Sequence, residues 1–409
     1  MSLFEKASSS KVNITPHQIF WRYHSQTGNF IPSTKEQGRL NKFIHCKTSI
    51  QCRGDLKLYT YSIKPPKRGP DDEVYAKNPI LVSLLPRAMS LIFDLQGDFL
   101  CILSGPCKFS GAQTLDEDEA EDGHDCSVYD PVKTEHWITS EKCQITKTIK
   151  ANGKFSIFTM FKYDNRSVIA FGSKNCHFIC YIDEIDDLLD TNREVSDIVR
   201  SIGFDILKNI VNLERLAEYF YKGFSLVGEL EDGMHFVPGD NTVSWFGLFK
   251  NGIPMEATSA LDLISSFDIK TVKHEVVFNP GDPLDKLQYV INMSKCDEGE
   301  GSVLYIRNVE TGETQLAKSK SAIYKLKRMF RQKWLWSPTT IEQNLKKRVI
   351  ETKDYHCLNT DAAIRITRRL FDFALWLSNN HYPTQVLNFM PIESVRGILQ
   401  AGFSFYWSK

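Results

Sequence analysis

Lys150 stands in the run Lys150-Ala151-Asn152-Gly153, at the end of one strand-like stretch and the start of a turn. A lysine amine becomes a nucleophile when a partly desolvated or cationic setting disfavours its ammonium form. Asn and Gly behind it supply the sharp turn that would present it at a pocket rim. An Asn-Gly turn beside a lysine is common in sheet proteins, so the run gains meaning only from its company. That company is ordered along the chain: Lys174 in GSKN, Glu229 in GELEDG, Glu300 in EGEGSVLYI, and Lys318 with Lys320 in AKSKSAIY, each on a strand-like run or at its end. Lys318 and Lys320 are two apart, so a strand sends both to one face, where two ammonium groups can converge on a phosphate. Cations around a candidate nucleophile offset charge developing on a phosphate, and carboxylates can hold a divalent metal. Nucleotidyl transfer needs both.

The elements that must position these residues are legible in outline. From Cys143 the chain runs through CQITKTIK, FSIFTMFKY and SVIAFG, separated by Asn152-Gly153 and Asp164-Asn165-Arg166, which predicts an antiparallel meander. Residues 183–222 carry Ile198, Ile202, Ile206, Ile210, Leu213 and Leu216 at spacings of three and four, which predicts two helices split near Gly203. Strand-like runs return at 224–230, 243–249, 302–308 and around Thr314 to Lys318. Sheet and helix are therefore segregated, and the fold class is α+β. After Trp336 the two-residue period ends, and segments such as 361–377 and 392–399 read as amphipathic helices. Two domains are expected: residues 1–334, an antiparallel-sheet catalytic unit with an N-terminal extension, and 335–409, all-helical.

Composition narrows the class. The 409 residues hold 50 Lys and Arg against 50 Asp and Glu, and no apolar stretch approaches the roughly 20 residues of a membrane-spanning helix. The start lacks a secretory signal, so cytoplasm or nucleus is expected. Ten cysteines contain no C-x-x-C pair, which argues against a zinc ribbon or a disulfide framework. Cys176, His177 and Cys180 lack a fourth ligand, and strand alternation separates His177 from the two cysteines; a structural role is expected. The zero net charge conceals a polarity: seven carboxylates and no basic residue in 116–125, against seven Lys or Arg and no acid in 318–333. The basic run is interleaved with Tyr324 and Phe330 and followed by Trp334 and Trp336, a combination suited to unstacked bases on a phosphate backbone.

The order K-x-N-G, S-K, E-L, E-G-x-V, K-x-K resembles the covalent nucleotidyltransferase superfamily, and within it the ATP-dependent RNA ligases, phage-type enzymes and the ligase domain of fungal tRNA ligase. K-A-N-G, Glu229-Leu230-Glu231-Asp232 and the Lys318/Lys320 pair followed by Tyr324, Arg328 and Arg331 carry that likeness. Residues 86–109 also fit, although Ala88 stands where relatives commonly have glycine.

The resemblance implies an antiparallel-sheet nucleotidyltransferase fold in which Lys150 attacks the α-phosphorus of ATP to form lysyl-AMP. AMP then passes to an RNA 5′-phosphate, and a 3′-hydroxyl displaces it. By the same resemblance Arg87 and Lys108 contact the β- and γ-phosphates. Glu300 holds Mg²⁺ or Mn²⁺, and Glu229 binds ribose or a metal-bound water. Lys318 and Lys320 neutralise the α-phosphate, Lys174 assists the 5′-phosphate or nucleotide contacts, and Asn152 and Gly153 complete the nucleotide-binding motif. The aromatic pocket for the base is expected among Trp245, Phe246 and Phe249, with Phe246 as its candidate. Expected partners are RNA with 5′-phosphate and 3′-hydroxyl ends, as in RNA repair or tRNA splicing, and separate end-healing kinase and phosphatase enzymes, since no G-x-x-x-x-G-K-[ST] loop is present. A monomer is expected. Two other readings share parts of the pattern: a GTP-using capping guanylyltransferase, and a non-catalytic RNA-binding protein with a ligase-like fold.

Overall fold

The computed structural model describes residues 14–64, 72–111, 130–231, 241–294, 299–321 and 324. The acidic run 116–125 and the expected helical unit 335–409 lie outside them. Three antiparallel sheets carry the described chain. The N-terminal sheet holds β1 (Ile44–Gln51), β2 (Leu56–Ile63), β3 (Met89–Asp94) and β4 (Phe99–Leu103) in sequence order. A six-stranded sheet holds β6 (Lys154–Tyr163), β7 (Arg166–Gly172), β8 (His177–Tyr181), β9 (Ser225–Glu231), β10 (Thr242–Lys250) and β11 (Ile253–Pro254), in the order β11-β10-β9-β6-β7-β8. The third sheet contains β5 (Cys143–Ile149), β12 (His274–Phe278), β13 (Gly301–Asn308) and β14 (Thr314–Lys320), in the order β12-β5-β13-β14. The α+β expectation and every strand predicted from Cys143 onward agree with this arrangement.

Residues of β6 and β7 are apolar on both faces because each face has its own core. Phe158, Met160, Ile169 and Phe171 enter one cluster, and Ile157, Phe161, Val168 and Ala170 enter another. That partition follows the alternation of side chains along a strand. Helices Ile185–Thr191, Asp197–Lys208, Ile210–Glu214 and Ala217–Tyr221 cover the first face, burying Val199, Ile202, Ile206, Leu213 and Leu216. The β6–β7 hairpin closes through Asp164 and Asn165, both at positive φ, as a two-residue turn between right-twisted strands requires.

Two sequence expectations are corrected. Gly203 does not split the helices: it lies within Asp197–Lys208, where a Cβ would approach Leu189 Cδ2 to 2.5 Å, so it permits close packing of neighbouring helices. Nor is 143–172 one meander. β5 and β6 belong to different sheets, so Lys150–Gly153 is a crossover between sheets and not a hairpin turn.

The N-terminal sheet packs with helix Pro16–Gln26 around Phe20, Tyr61, Leu81 and Leu91. Ser90 Oγ meets His177 Nδ1 at 2.7 Å, and Gln51 Oε1 accepts from the Ile179 amide at 2.6 Å, joining this sheet to β8. His177 Nε2 lies 2.8 Å from the Ser173 carbonyl oxygen. Both ring nitrogens are therefore engaged inside the fold, in agreement with a structural role.

Candidate active site

Lys150 lies where the chain leaves the third sheet for the six-stranded one, and that crossover gathers the charges. At the end of β5 the Ile149 amide donates to the Lys273 carbonyl at 3.0 Å, and the Lys150 amide to the Gly301 carbonyl at 2.8 Å. Ile149 pairs with Ser302 of β13, so Glu300, just before that strand, falls beside Lys150. Lys150 Nζ is 2.6 Å from Glu300 Oε1. On the other side of the crossover Phe155 of β6 pairs with Glu229 of β9. Gly153 is required by contact: a Cβ there would clash with the Leu230 carbonyl, so the strand could not start against β9.

The cations arrive on neighbouring strands. Lys318 pairs with Val303 and Lys320 with Gly301, and both face one cavity, as their two-residue spacing predicts. The Lys318 amide donates to the Ser110 carbonyl at 2.9 Å, which draws the segment carrying Lys108 alongside β14. Arg87 precedes β3. Its amide donates to Pro106 and its carbonyl accepts from Gly105, and its guanidinium faces the Phe109 ring at 5.8 Å. Ala88 sits at φ +55°, in the left-handed region, which gives a physical reason for glycine at this place in relatives.

The cavity these elements enclose is about 300 Å³. Arg87, Lys108, Lys150, Glu229, Phe246, Glu300, Lys318 and Lys320 all line it, together with Phe109, Thr148, Phe155 and Tyr305, which the sequence did not single out. Five cations face two carboxylates, a balance suited to a polyphosphate. Of the three candidate aromatics Phe246 lines the cavity, whereas Trp245 and Phe249 are buried in the cores on either side. Asn152 is buried, and neither it nor Gly153 lines the cavity. Lys174 lies apart from it, on an adjoining cavity of about 210 Å³ that shares Arg87.

Glu229 has the most displaced acid in the site. Burial, reinforced by the Glu300 charge and opposed by Lys150 and Arg87, pushes its carboxyl up to about 7. Its Oε2 is buried and has no hydrogen-bond partner among the described residues. A buried orphan oxygen is costly unless a ligand supplies a donor or a cation. No group of three or more His, Cys, Asp and Glu that could hold a metal occurs among the described residues. The cavity's carboxylates are Glu229 and Glu300, and a hard cation held by one or two carboxylates keeps several waters and binds substrate phosphate. No helix among the described residues is long and apolar enough to cross a membrane.

No protein-family model and no curated protein matches the chain. Solved structures do. An archaeal ATP-dependent RNA ligase (form 2) is similar over 90% of this chain and 80% of its own, at 13% identity and a TM-score of 0.52. Form 1 of the archaeal ATP-dependent RNA ligase gives 14% identity over the same shares and a TM-score of 0.49. A Naegleria gruberi RNA ligase variant solved with ATP and Mn covers 69% of this chain and 98% of its own, at 10% identity and a TM-score of 0.32. The chain has the fold of the archaeal ATP-dependent RNA ligase.

Proposed function

We propose that this chain is an ATP-dependent RNA ligase whose nucleophile is Lys150. One observation carries the reading: Lys150, Glu229, Glu300, Arg87, Lys108 and the pair Lys318 and Lys320 come from six separate places in the sequence and line one cavity. The shared fold with an archaeal ATP-dependent RNA ligase supports it.

Attack by Lys150 Nζ on the α-phosphorus of ATP forms an N–P bond as the P–O bond to pyrophosphate breaks. The amine must turn from its 2.6 Å contact with Glu300 toward the α-phosphorus to attack. Lys318 and Lys320 neutralise the α-phosphate, and Arg87 and Lys108 hold the leaving phosphates, because in-line phosphoryl transfer depends on positioning and charge compensation. Glu300 would hold a divalent metal, Mg²⁺ or Mn²⁺, which when bound supplies further positive charge against the phosphates, and Glu229 would bind the ribose or a metal-bound water. AMP then moves from lysine to the 5′-phosphate of an RNA, and a 3′-hydroxyl attacks that phosphate and releases AMP. Lys174, beside Arg87 in the adjoining cavity, is assigned to the RNA phosphate. The proposed catalytic unit is residues 1–334; the expected RNA-facing unit, 335–409, lies outside the described residues.

Incubation with ATP labelled at the α-phosphate and Mg²⁺ or Mn²⁺, followed by denaturing electrophoresis, tests this. Label on the wild type and none on Lys150→Ala is expected. Label from GTP in preference to ATP would point instead to a guanylyltransferase. No label from either, with salt-dependent RNA binding retained, would point to a non-catalytic RNA-binding protein.

A further inference from the structure

The geometry points to Tyr305 as a positioning residue that fixes Phe246 as the base-stacking wall of the nucleotide cavity. This rests on the reading of the cavity as an ATP site. The pairing of β10 with β9 slips between Trp245 and Gly247: Trp245 faces Gly228, Gly247 faces Val227, and Phe246 is the extra residue between them. Such a bulge breaks the alternation of the strand and re-aims a side chain. Trp245 accordingly enters the core under the helices, while Phe246 turns to the cavity and packs at its inner edge beside Ala151.

A bulged peptide loses its ladder partner, and its carbonyl must find another. Tyr305 supplies it, its hydroxyl donating to the Phe246 carbonyl at 2.9 Å. On the other side the Trp245 amide donates to Lys270, and the Trp245 carbonyl accepts from Val272, both at 3.0 Å. The bulge is thus pinned from two directions. Tyr305 lies on β13, between the strands that carry Lys150 and the lysine pair, while Phe246 is on the six-stranded sheet with Glu229. The hydroxyl therefore also sets the reach from the nucleophile's sheet to the aromatic wall. Its ring is itself buried and lines the cavity.

Three variants test the assignment through binding of a fluorescent ATP analogue, label incorporation at varied ATP, and thermal unfolding of the ligand-free protein. Tyr305→Phe keeps the ring and removes the donor. It is expected to weaken ATP binding and raise KM for ATP about ten-fold, with kcat changed by less than about two-fold and with reduced preference for ATP over GTP. Phe246→Leu keeps the bonded carbonyl and removes the aromatic face. In that background Tyr305→Phe should add less than about two-fold, because the two residues act through one wall. A lowered melting temperature in Tyr305→Phe with unchanged affinity and KM would make the tyrosine merely structural and overturn the assignment. Effects of the two substitutions that simply multiply in the double variant would overturn it as well. If the wild type binds no nucleotide, the ATP-site reading fails and the assignment fails with it. A wild type that binds and labels, beside a Tyr305→Phe that behaves identically, removes this inference alone.

Discussion

Lys150 Nζ and Glu300 Oε1 are 2.6 Å apart, with both side chains largely withdrawn from solvent. Each charge offsets part of the other's desolvation in this setting. The same carboxylate would hold the metal, so removing it damages both the resting pair and the loaded site. Glu300→Ala is expected to reduce the rate of labelling from ATP by about 10²-fold or more, and Lys150→Ala to abolish it. Labelling of Glu300→Ala at the wild-type rate would exclude the carboxylate from the reaction.

Glu229 makes stability depend on pH in the sense opposite to most carboxyls. Burial first, then the Glu300 charge, moves its carboxyl from 4.5 to about 7 on folding. The folded chain therefore holds an extra proton between those values, and the stability this group contributes is lost as pH rises through that window. Glu229→Gln is expected to stabilise the ligand-free protein at pH 8 by on the order of 1–3 kcal/mol while destroying labelling activity. Urea unfolding of both proteins at pH 8 decides it; a less stable variant would contradict the displaced carboxyl.

His24 and His177 act the other way. Burial lowers each from 6.5 to about 4, so the unfolded chain binds more protons between those values and stability falls as pH drops through them. Over the shared part of the two windows Glu229 offsets one histidine. Glu229→Gln should consequently steepen the loss of stability from pH 6.5 to 4.5, and adding His177→Gln should flatten it again. Melting temperatures of the three proteins across that range measure the slopes.

Much of the site was legible because its residues sit on strands or beside their ends, where local patterns are strong. The order Lys150, Glu229, Glu300, Lys318, Lys320 and the two-residue spacing of the lysine pair both survive in the cavity. The partnership of strands was not legible. Lys150–Gly153 resembles a hairpin turn locally, and only the distant pairing of Ile149 with Ser302 shows that β5 joins another sheet. Phe246 carried a signal as an aromatic, but the bulge that aims it depends on the register of β10 against β9, which alternation alone cannot give. Tyr305 and Phe155 looked like ordinary strand residues because their environment is set across sheets.

Gly153 has no freedom to change. The Leu230 carbonyl occupies the place of any Cβ, so Gly153→Ala must push β6 from β9 or shift the crossover that carries Lys150. A cost of about 1–3 kcal/mol is expected, with labelling falling further than stability because Lys150 moves with the backbone. A variant that keeps full labelling at 25 °C would mean that the crossover can relax without displacing the nucleophile.

Lys174 separates the two halves of the proposed reaction. It lies outside the cavity that holds Lys150 and lines the adjoining one, and Arg87 is shared between them. On the proposed reading, a cation in that place would act on a phosphate beyond the nucleotide, where a strand end would be held for transfer. Lys174→Ala should therefore label from ATP within about three-fold of wild type, yet pass AMP to a 5′-phosphorylated RNA about 10- to 100-fold more slowly. Single-turnover transfer from pre-labelled protein isolates the second step from the first. Equal loss in both steps would place Lys174 with the nucleotide after all, and no loss in either would leave it a surface cation.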